Sequence, residues 1–487
     1  MKKSQVTSLH FAVRLRVLLK YGGQLILVFA VLTGGTFIFS LLVGEYRQAW
    51  IYGTVVIGAG LSGFILQRLE APGNLQNNEA LVLSAAIFII APLIAAIPLH
   101  LSGLQLSDAV FEAVSGITTT GLSTLPTVEK LPRTFLFFRA WLQWIGGLGI
   151  VVLSVALLLP QSRAGLRLFS GNWEKEDLIT SAKTYARAVL KIYLLLTFLG
   201  IGVLILLGVD RLDAVTHILA AVSTGGFSTY DNSIGGLASW DFEAAVILFC
   251  TLGAVSLGLY YQVLQRGLRT LFANTEVIGL ICMLFTASLL LSLFLYLLDG
   301  FSLENALRNG PLLACSAQTT AGFSSVNVAG LSPGSKLLLI LMMTVGGNVG
   351  STAGGIKIMR LLIIIKIMHL LIVRSGTATG AVIQPRYMGK RLETDEIERC
   401  FVLALLFCGI IFFSWLPFVI MGYPALDALF EVASACGTVG LSTGITSVEL
   451  PVMLKTVLCL DMLMGRLEII AFLVLLYPPT WYGKKRA

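Results

Sequence analysis

Thr119-Thr120-Gly121-Leu122-Ser123-Thr124 returns three times further along the chain. The other copies are Thr224-Gly225-Gly226-Phe227-Ser228-Thr229, Thr320-Ala321-Gly322-Phe323-Ser324-Ser325 and Thr438-Val439-Gly440-Leu441-Ser442-Thr443. The shared pattern is T-x-G-[LF]-S-[ST], and its glycines stand 105, 96 and 118 residues apart. A single copy reads as a glycine-punctuated turn. Four copies report one structural unit used four times.

Working outward, Asp108, Asp213, Asn309 and Asp427 lie thirteen residues before the four glycines. Short polar side chains of this kind cap helix N-termini by accepting from the first free N–H groups. The apolar run that follows, Ala109-Val110-Phe111-Glu112-Ala113-Val114 in the first copy, predicts a helix of about two to three turns. Four residues past each cap stand Glu112, His217, Leu313 and Glu431. The polar ones read as partners for their own helix's neighbourhood rather than as ion ligands.

The flanking sequence is apolar. Of 487 residues, 56% are hydrophobic and 12% charged, about half the charged share of an ordinary soluble domain. Stretches of spanning length recur at 22–44, 50–67, 80–99, 140–160, 192–209, 244–265, 277–298, 337–356, 400–422 and 456–477, each near the ~20 residues a helix needs to cross hydrocarbon. The expectation is an all-α polytopic membrane protein. With the basic N-terminal arm in the cytoplasm, 25 of the 34 Lys and Arg residues fall inside, as the positive-inside rule requires. Both termini are then cytoplasmic, and all four motifs lie on outer connections. The net charge of +8 reads as membrane orientation, not as nucleic-acid binding. The seven scattered cysteines and four histidines suggest neither a disulfide framework nor a structural metal.

A helix too short to span must dip in from outside and return. Its C-terminus then points at the membrane centre and carries the negative end of the macrodipole. Four such ends on one axis favour a cation without any carboxylate. The T-x-G stretch after each helix is expected to run extended and turn carbonyls to the axis, where they replace hydration water. Irregular backbone at that depth is tolerated where it lines a cavity.

These features resemble the Trk/Ktr/HKT superfamily of potassium transporters, in its TrkH/KtrB branch. Further matching stretches are Gln143-Trp144-Ile145-Gly146-Gly147-Leu148-Gly149, Gly346-Gly347-Asn348-Val349-Gly350-Ser351-Thr352-Ala353-Gly354-Gly355-Ile356-Lys357 and Gly465-Arg466-Leu467-Glu468. The second repeat departs at Thr251-Leu252-Gly253-Ala254, where a more glycine-rich stretch is expected. The resemblance implies four pseudo-symmetric helix–pore loop–helix repeats around one pore, at 71–165, 166–270, 271–375 and 376–487. The cytoplasmic arm and two extra transmembrane helices at 1–70 precede them. It implies a potassium filter made by Thr119, Thr120, Gly121, Thr224, Gly225, Gly226, Thr320, Ala321, Gly322, Thr438, Val439 and Gly440. Some sodium-conducting relatives carry serine in place of the first filter glycine, so Gly121 favours potassium.

Glycine costs about 1 kcal/mol in a helix interior, so the third repeat's outgoing span should break at Gly346, Gly347, Asn348, Gly350, Ser351, Gly354 and Gly355. The resemblance makes this break an intramembrane gate beneath the filter. Arg466, expected near the middle of the tenth span, should face protein or water because charge in hydrocarbon is costly. The resemblance makes it an electrostatic barrier in the conduction path; the bland reading pairs it with Asp461 or Glu468. The resemblance further implies a homodimer in the plasma membrane (the inner membrane of a Gram-negative cell), controlled by a cytosolic ring of nucleotide-binding regulatory subunits. These would dock on the polar segments 161–191 and 375–397.

The potassium ion is thus expected as cargo, with no other cofactor. A solute carrier working by alternating access is the competing transport reading. It does not call for four equivalent inward-aimed helices. An intramembrane enzyme would need paired carboxylates, a Ser/His pair or metal ligands within the spans. Asp461, Arg466 and Glu468 on one helix make no such constellation.

Overall fold

The computed structural model describes residues 12–72, 75–161, 178–377, 384–388 and 390–482. Among the described residues, seven helices are long and apolar enough to cross a membrane: Leu15–Val43, Tyr46–Gln67, Asn77–Leu101, Arg133–Val151, Tyr185–Leu206, Thr275–Leu297 and Thr394–Ile420. The pair Trp240–Ala254 and Leu257–Arg266 makes an eighth, bent by 85°. The two remaining expected spans are not continuous helices. Pro333–Val345 ends at Gly346, and Val452–Arg466 ends before Ile470–Leu476. Positive φ at Gly346, Glu468 and Ile469 breaks the hydrogen-bond ladder at those points. The one ribbon described pairs Arg386–Tyr387 with Lys390–Arg391.

Four short helices follow the sequence repeat: Leu106–Ile117, Arg211–Val222, Leu303–Gln318 and Ala425–Cys436. Three have 12 residues; the third has 16. The expected caps are wrong in all four. The N-caps are Gln105, Asp210, Ser302 and Pro424, so Asp108, Asp213 and Asp427 sit in the first turn and Asn309 lies inside its helix. A carboxylate in the first turn still gains from the helix dipole, which is why the sequence signal resembled a cap.

Asp108 and Asp427 instead tie one repeat to the next, while Asp213 accepts from Thr229 and Tyr230 of its own repeat and Asn309 donates to the Asn305 carbonyl of its own helix. Lys336, on the third repeat's outgoing helix, donates to Asp427 (2.7 Å) and to the Ala329 carbonyl (2.9 Å). Lys455, on the fourth repeat's outgoing helix, donates to Asp108 (2.7 Å) and to the Val448 carbonyl (2.8 Å), closing the circle back to the first repeat. Glu243 and Arg308 make the corresponding link from second to third repeat, 2.9 Å apart with the signs reversed. Between first and second, Arg139 bonds Glu112 and the Ser228 carbonyl and stacks over the Phe227 ring. In the loops of that boundary, desolvation pushes the Asp231 carboxyl up. The Val128 N–H and the Thr127 hydroxyl bound to it outweigh that and hold it below the usual carboxylate range.

Breaking a buried pair from one side strands a charge, at about 3–5 kcal/mol. Lys455→Met should therefore lower the unfolding midpoint of the detergent-solubilised protein clearly, and adding Asp108→Leu should recover most of the loss. Equal midpoints for Lys455→Met and the unaltered protein would mean that the circle is not closed by this pair.

Candidate functional site

Each short helix ends in the same way. The N–H groups of Thr119, Thr224, Thr320 and Thr438 reach back three residues, to Gly116, Ala221, Ala317 and Ala435. Those of Thr120, Gly225, Ala321 and Val439 reach back five, to Ser115, Ala220, Ser316 and Ser434. This is the Schellman closure, whose αL position is normally glycine. Here threonine occupies it four times, with φ of 55°, 52°, 55° and 51°. A β-branched residue there is a real outlier, with a cost on the order of 1–3 kcal/mol each. The expected plain extended strand is therefore a correction. The backbone turns left-handed at each threonine and again at Gly121, Gly226, Gly322 and Gly440. Threonine in the usual glycine slot hid the helix end from sequence reading; its fourfold recurrence was the available signal.

The four loops form one ring. A Cβ built on Gly121 would collide with the carbonyl oxygen of Gly225, one on Gly226 with that of Ala321, one on Gly322 with that of Val439, and one on Gly440 with that of Thr120. The cycle visits the repeats in order and returns to the first. All four threonines are buried, whereas all four glycines are partly exposed, so the glycines line the space inside the ring.

The ring is braced from behind. Glu112 accepts from the Ser123 hydroxyl and the Thr124 N–H. Glu431 accepts from Ser442 (2.6 Å), the Thr443 N–H (2.7 Å) and Thr446 (2.6 Å). His217 donates from Nδ1 to the Asp213 carbonyl, which leaves Nε2 to accept from Ser228 at 2.9 Å. The motif serine is thus the brace point. In the third repeat, where Leu313 cannot accept, Ser324 turns to the Val326 carbonyl.

Gln143, quoted above only as part of a signature, donates to the Gly225 carbonyl (2.6 Å) and accepts from the Phe227 N–H (3.1 Å). Its side chain fills the space a Cβ on Gly225 would need, which accounts for the double glycine of the second motif. Behind the short helices, the outgoing helices approach through glycine. A Cβ on Gly146, Gly253 or Gly465 would meet the carbonyl of Ile117, Val222 or Cys436.

Below the ring lies the expected break. Residues 346–357 form a buried, heavily bonded loop rather than a loose one. The N–H groups of Asn348 and Thr352 bond the carbonyls of Ala254 and Gly253, while the Leu257 N–H bonds the Gly350 carbonyl. The loop therefore docks into the 85° bend of the second repeat's outgoing span, the place where the sequence departs from the expected glycine-rich pattern. Gln318 bonds the Gly346 carbonyl (2.7 Å), and Glu276 accepts from the Val349 N–H (3.2 Å). The Gly354 N–H donates to the Thr320 hydroxyl at 2.7 Å.

Arg466 is the last residue of its helix, not a mid-span residue. It donates to the Thr352 carbonyl (2.6 Å) and, from its other terminal nitrogen, to the Gly146 carbonyl (3.2 Å). Neither acidic candidate holds it: Asp461 bonds Ser414, and Glu468 pairs with Arg360. Gln318 and Glu276 were missed in the sequence, and Gln143 and Thr352 were quoted there only within longer stretches; all four are uncharged or lie far from their targets in the chain. Nothing in spacing or charge pattern joins them to the ring.

Comparison with known proteins gives a consistent result. The family model TrkH, described as a cation transport protein, matches residues 74–479, beginning just after the first two helices. An uncharacterized cation transporter of Methanocaldococcus jannaschii is 34% identical over 421 residues, covering 85% of each chain. The Trk system potassium uptake protein TrkH of Halomonas elongata is 31% identical over 488 residues, covering 96% of this chain and 99% of its own. The crystal structure of the potassium transporter TrkH from Vibrio parahaemolyticus superposes with a TM-score of 0.86 at 24% identity. It covers 96% of this chain and 100% of its own, and so supports the fold.

Proposed function

The chain belongs to the TrkH family of cation transport proteins, and from that premise we propose that it takes up potassium across the plasma membrane through the ring of four loops. The observation that carries this reading is the closed cycle in which each filter glycine abuts the next repeat's carbonyl. Carbonyl dipoles so placed can replace the hydration shell of a monovalent cation. The helices' own last carbonyls are largely consumed by the Schellman turns, so the oxygens offered to the ion come from the loop residues.

Ions enter from outside, pass the glycines and then the threonines, and meet the 346–357 loop, which acts as the gate. Arg466 adds a fixed positive charge at that level and ties the loop to the first repeat. The membrane potential draws a cation inward with about 2.3 kcal/mol per 100 mV, so the path needs no chemistry of its own. The distribution of basic residues supports a cytoplasmic location for both termini. A homodimer regulated by a cytosolic nucleotide-binding ring completes the reading. Of the proposed docking segments, 162–177, 378–383 and 389 lie outside the described residues.

Purified protein in liposomes should take up rubidium down an imposed gradient, with potassium competing well and sodium poorly. Equal competition by sodium and potassium would reject the selectivity; absence of uptake by folded protein would reject the transport.

A further inference from the structure

The four filter threonines are equivalent in sequence and backbone, but their hydroxyls are not used alike. Thr320 Oγ1 accepts the Gly354 N–H at 2.7 Å. Thr224 Oγ1 donates to the Ser223 carbonyl (2.7 Å) and reaches Thr352 Oγ1 at 3.4 Å. Thr352 is itself fixed, since its hydroxyl bonds the carbonyls of Val222 and Gly253, its N–H bonds Gly253 and its carbonyl takes Arg466. Thr119 Oγ1 and Thr438 Oγ1 are buried and have no hydrogen-bond partner among the described residues. Gly354 nonetheless sits against the fourth repeat: a Cβ there would collide with the Gly437 carbonyl and with Thr438 Oγ1.

We infer that the 346–357 loop closes the path partly by occupying a hydroxyl ligand of the innermost ion position, so that Thr320 serves as the latch point while Thr119 and Thr438 stay free to face the ion. The inference rests on reading the ring as a cation filter. Its physical content is a competition. The threonines lie deepest, directly after the inward-pointing helix ends, and the loop reaches them from below. A buried hydroxyl without a partner costs free energy, so the two free oxygens favour a cation at that level. The Thr320 oxygen, held by the Gly354 N–H, favours the seated loop. An ion fully coordinated at the inner position and a seated loop oppose each other, which couples gate position to filter occupancy.

The test compares maximal rubidium flux and half-saturating rubidium concentration in proteoliposomes for Thr320→Ala, Thr320→Ser, Thr119→Ala and Gly354→Ala. Alanine accepts the left-handed φ of Thr320 at least as well as threonine does. Thr320→Ala should raise maximal flux about fivefold, the population shift expected for one ordinary hydrogen bond, and Thr320→Ser, which keeps the hydroxyl, should restore the parent value. Thr119→Ala should raise the half-saturating concentration without raising maximal flux. Gly354→Ala removes no threonine hydroxyl but unseats the loop, because the new Cβ cannot fit against the Gly437 carbonyl and Thr438 Oγ1, so it should raise maximal flux. It decides the matter should Thr320→Ala not fold. If Thr320→Ala and Thr119→Ala move the same parameter alike, or Gly354→Ala leaves maximal flux unchanged, the inference is overturned. Absence of flux in the unaltered protein would instead strike the transport reading itself.

Discussion

Gly121→Ser should cut the preference for potassium over sodium about tenfold or more, a loss of about 1.4 kcal/mol, in a protein that still folds. Two effects combine. Gly121 holds φ at 88°, where any Cβ is strained by roughly 1–2 kcal/mol. The new Cβ would also collide with the Gly225 carbonyl oxygen, which already accepts from Gln143 at 2.6 Å. Displacing that oxygen disturbs the bond to Gln143, so the ring must distort where the loops of repeats 1 and 2 meet. A distorted ring loses the match to one ion size before it loses the ability to hold ions at all. The same change at Gly322, whose Cβ would meet the Val439 carbonyl, should act in the same direction, because the cycle treats the repeats alike. Rubidium uptake competed by sodium measures this; an unchanged competition ratio in Gly121→Ser would show that ring geometry does not set selectivity.

Arg466→Ala should raise rubidium flux by about tenfold or more. Removing the guanidinium takes away a positive charge that no described carboxylate neutralises. It also removes the strap that joins the Thr352 carbonyl to the Gly146 carbonyl. Arg466→Lys separates the two contributions. Lysine keeps the charge, but its compact ammonium cannot present the planar fork that spans two acceptors. If charge dominates, Arg466→Lys should conduct like the parent; if the strap dominates, it should approach Arg466→Ala. Flux in folded Arg466→Ala at or below the parent level would remove both roles.

Much of this architecture was legible in the sequence, because four copies of one motif and uncharged stretches of spanning length both follow from simple constraints. The short helices, the break at Gly346 and the two extra helices before the first repeat lie where those constraints put them. What could not be read is instructive. Asp108 and Asp427 look like caps, yet they face Lys455 and Lys336 from neighbouring repeats, and pairings across 347 and 91 residues leave no local trace. The threonines' left-handed turn was concealed because threonine is a poor residue for it, and only the surrounding ring makes the strain tolerable. The 85° bend in the second repeat's outgoing span follows from the loop that docks there, so it registered in the sequence only as a departure from pattern. Arg466 is buried, but its partners are backbone carbonyls, which no side-chain pattern reveals.

The most direct measurement is anomalous diffraction from crystals of the transport-competent protein soaked in rubidium or thallium. A peak should lie on the axis, within coordinating distance of oxygens contributed by Thr120, Gly225, Ala321 and Val439 together. Well-ordered crystals at saturating ion with no axial peak, or with density confined to side-chain carboxylates away from the ring, would contradict the account.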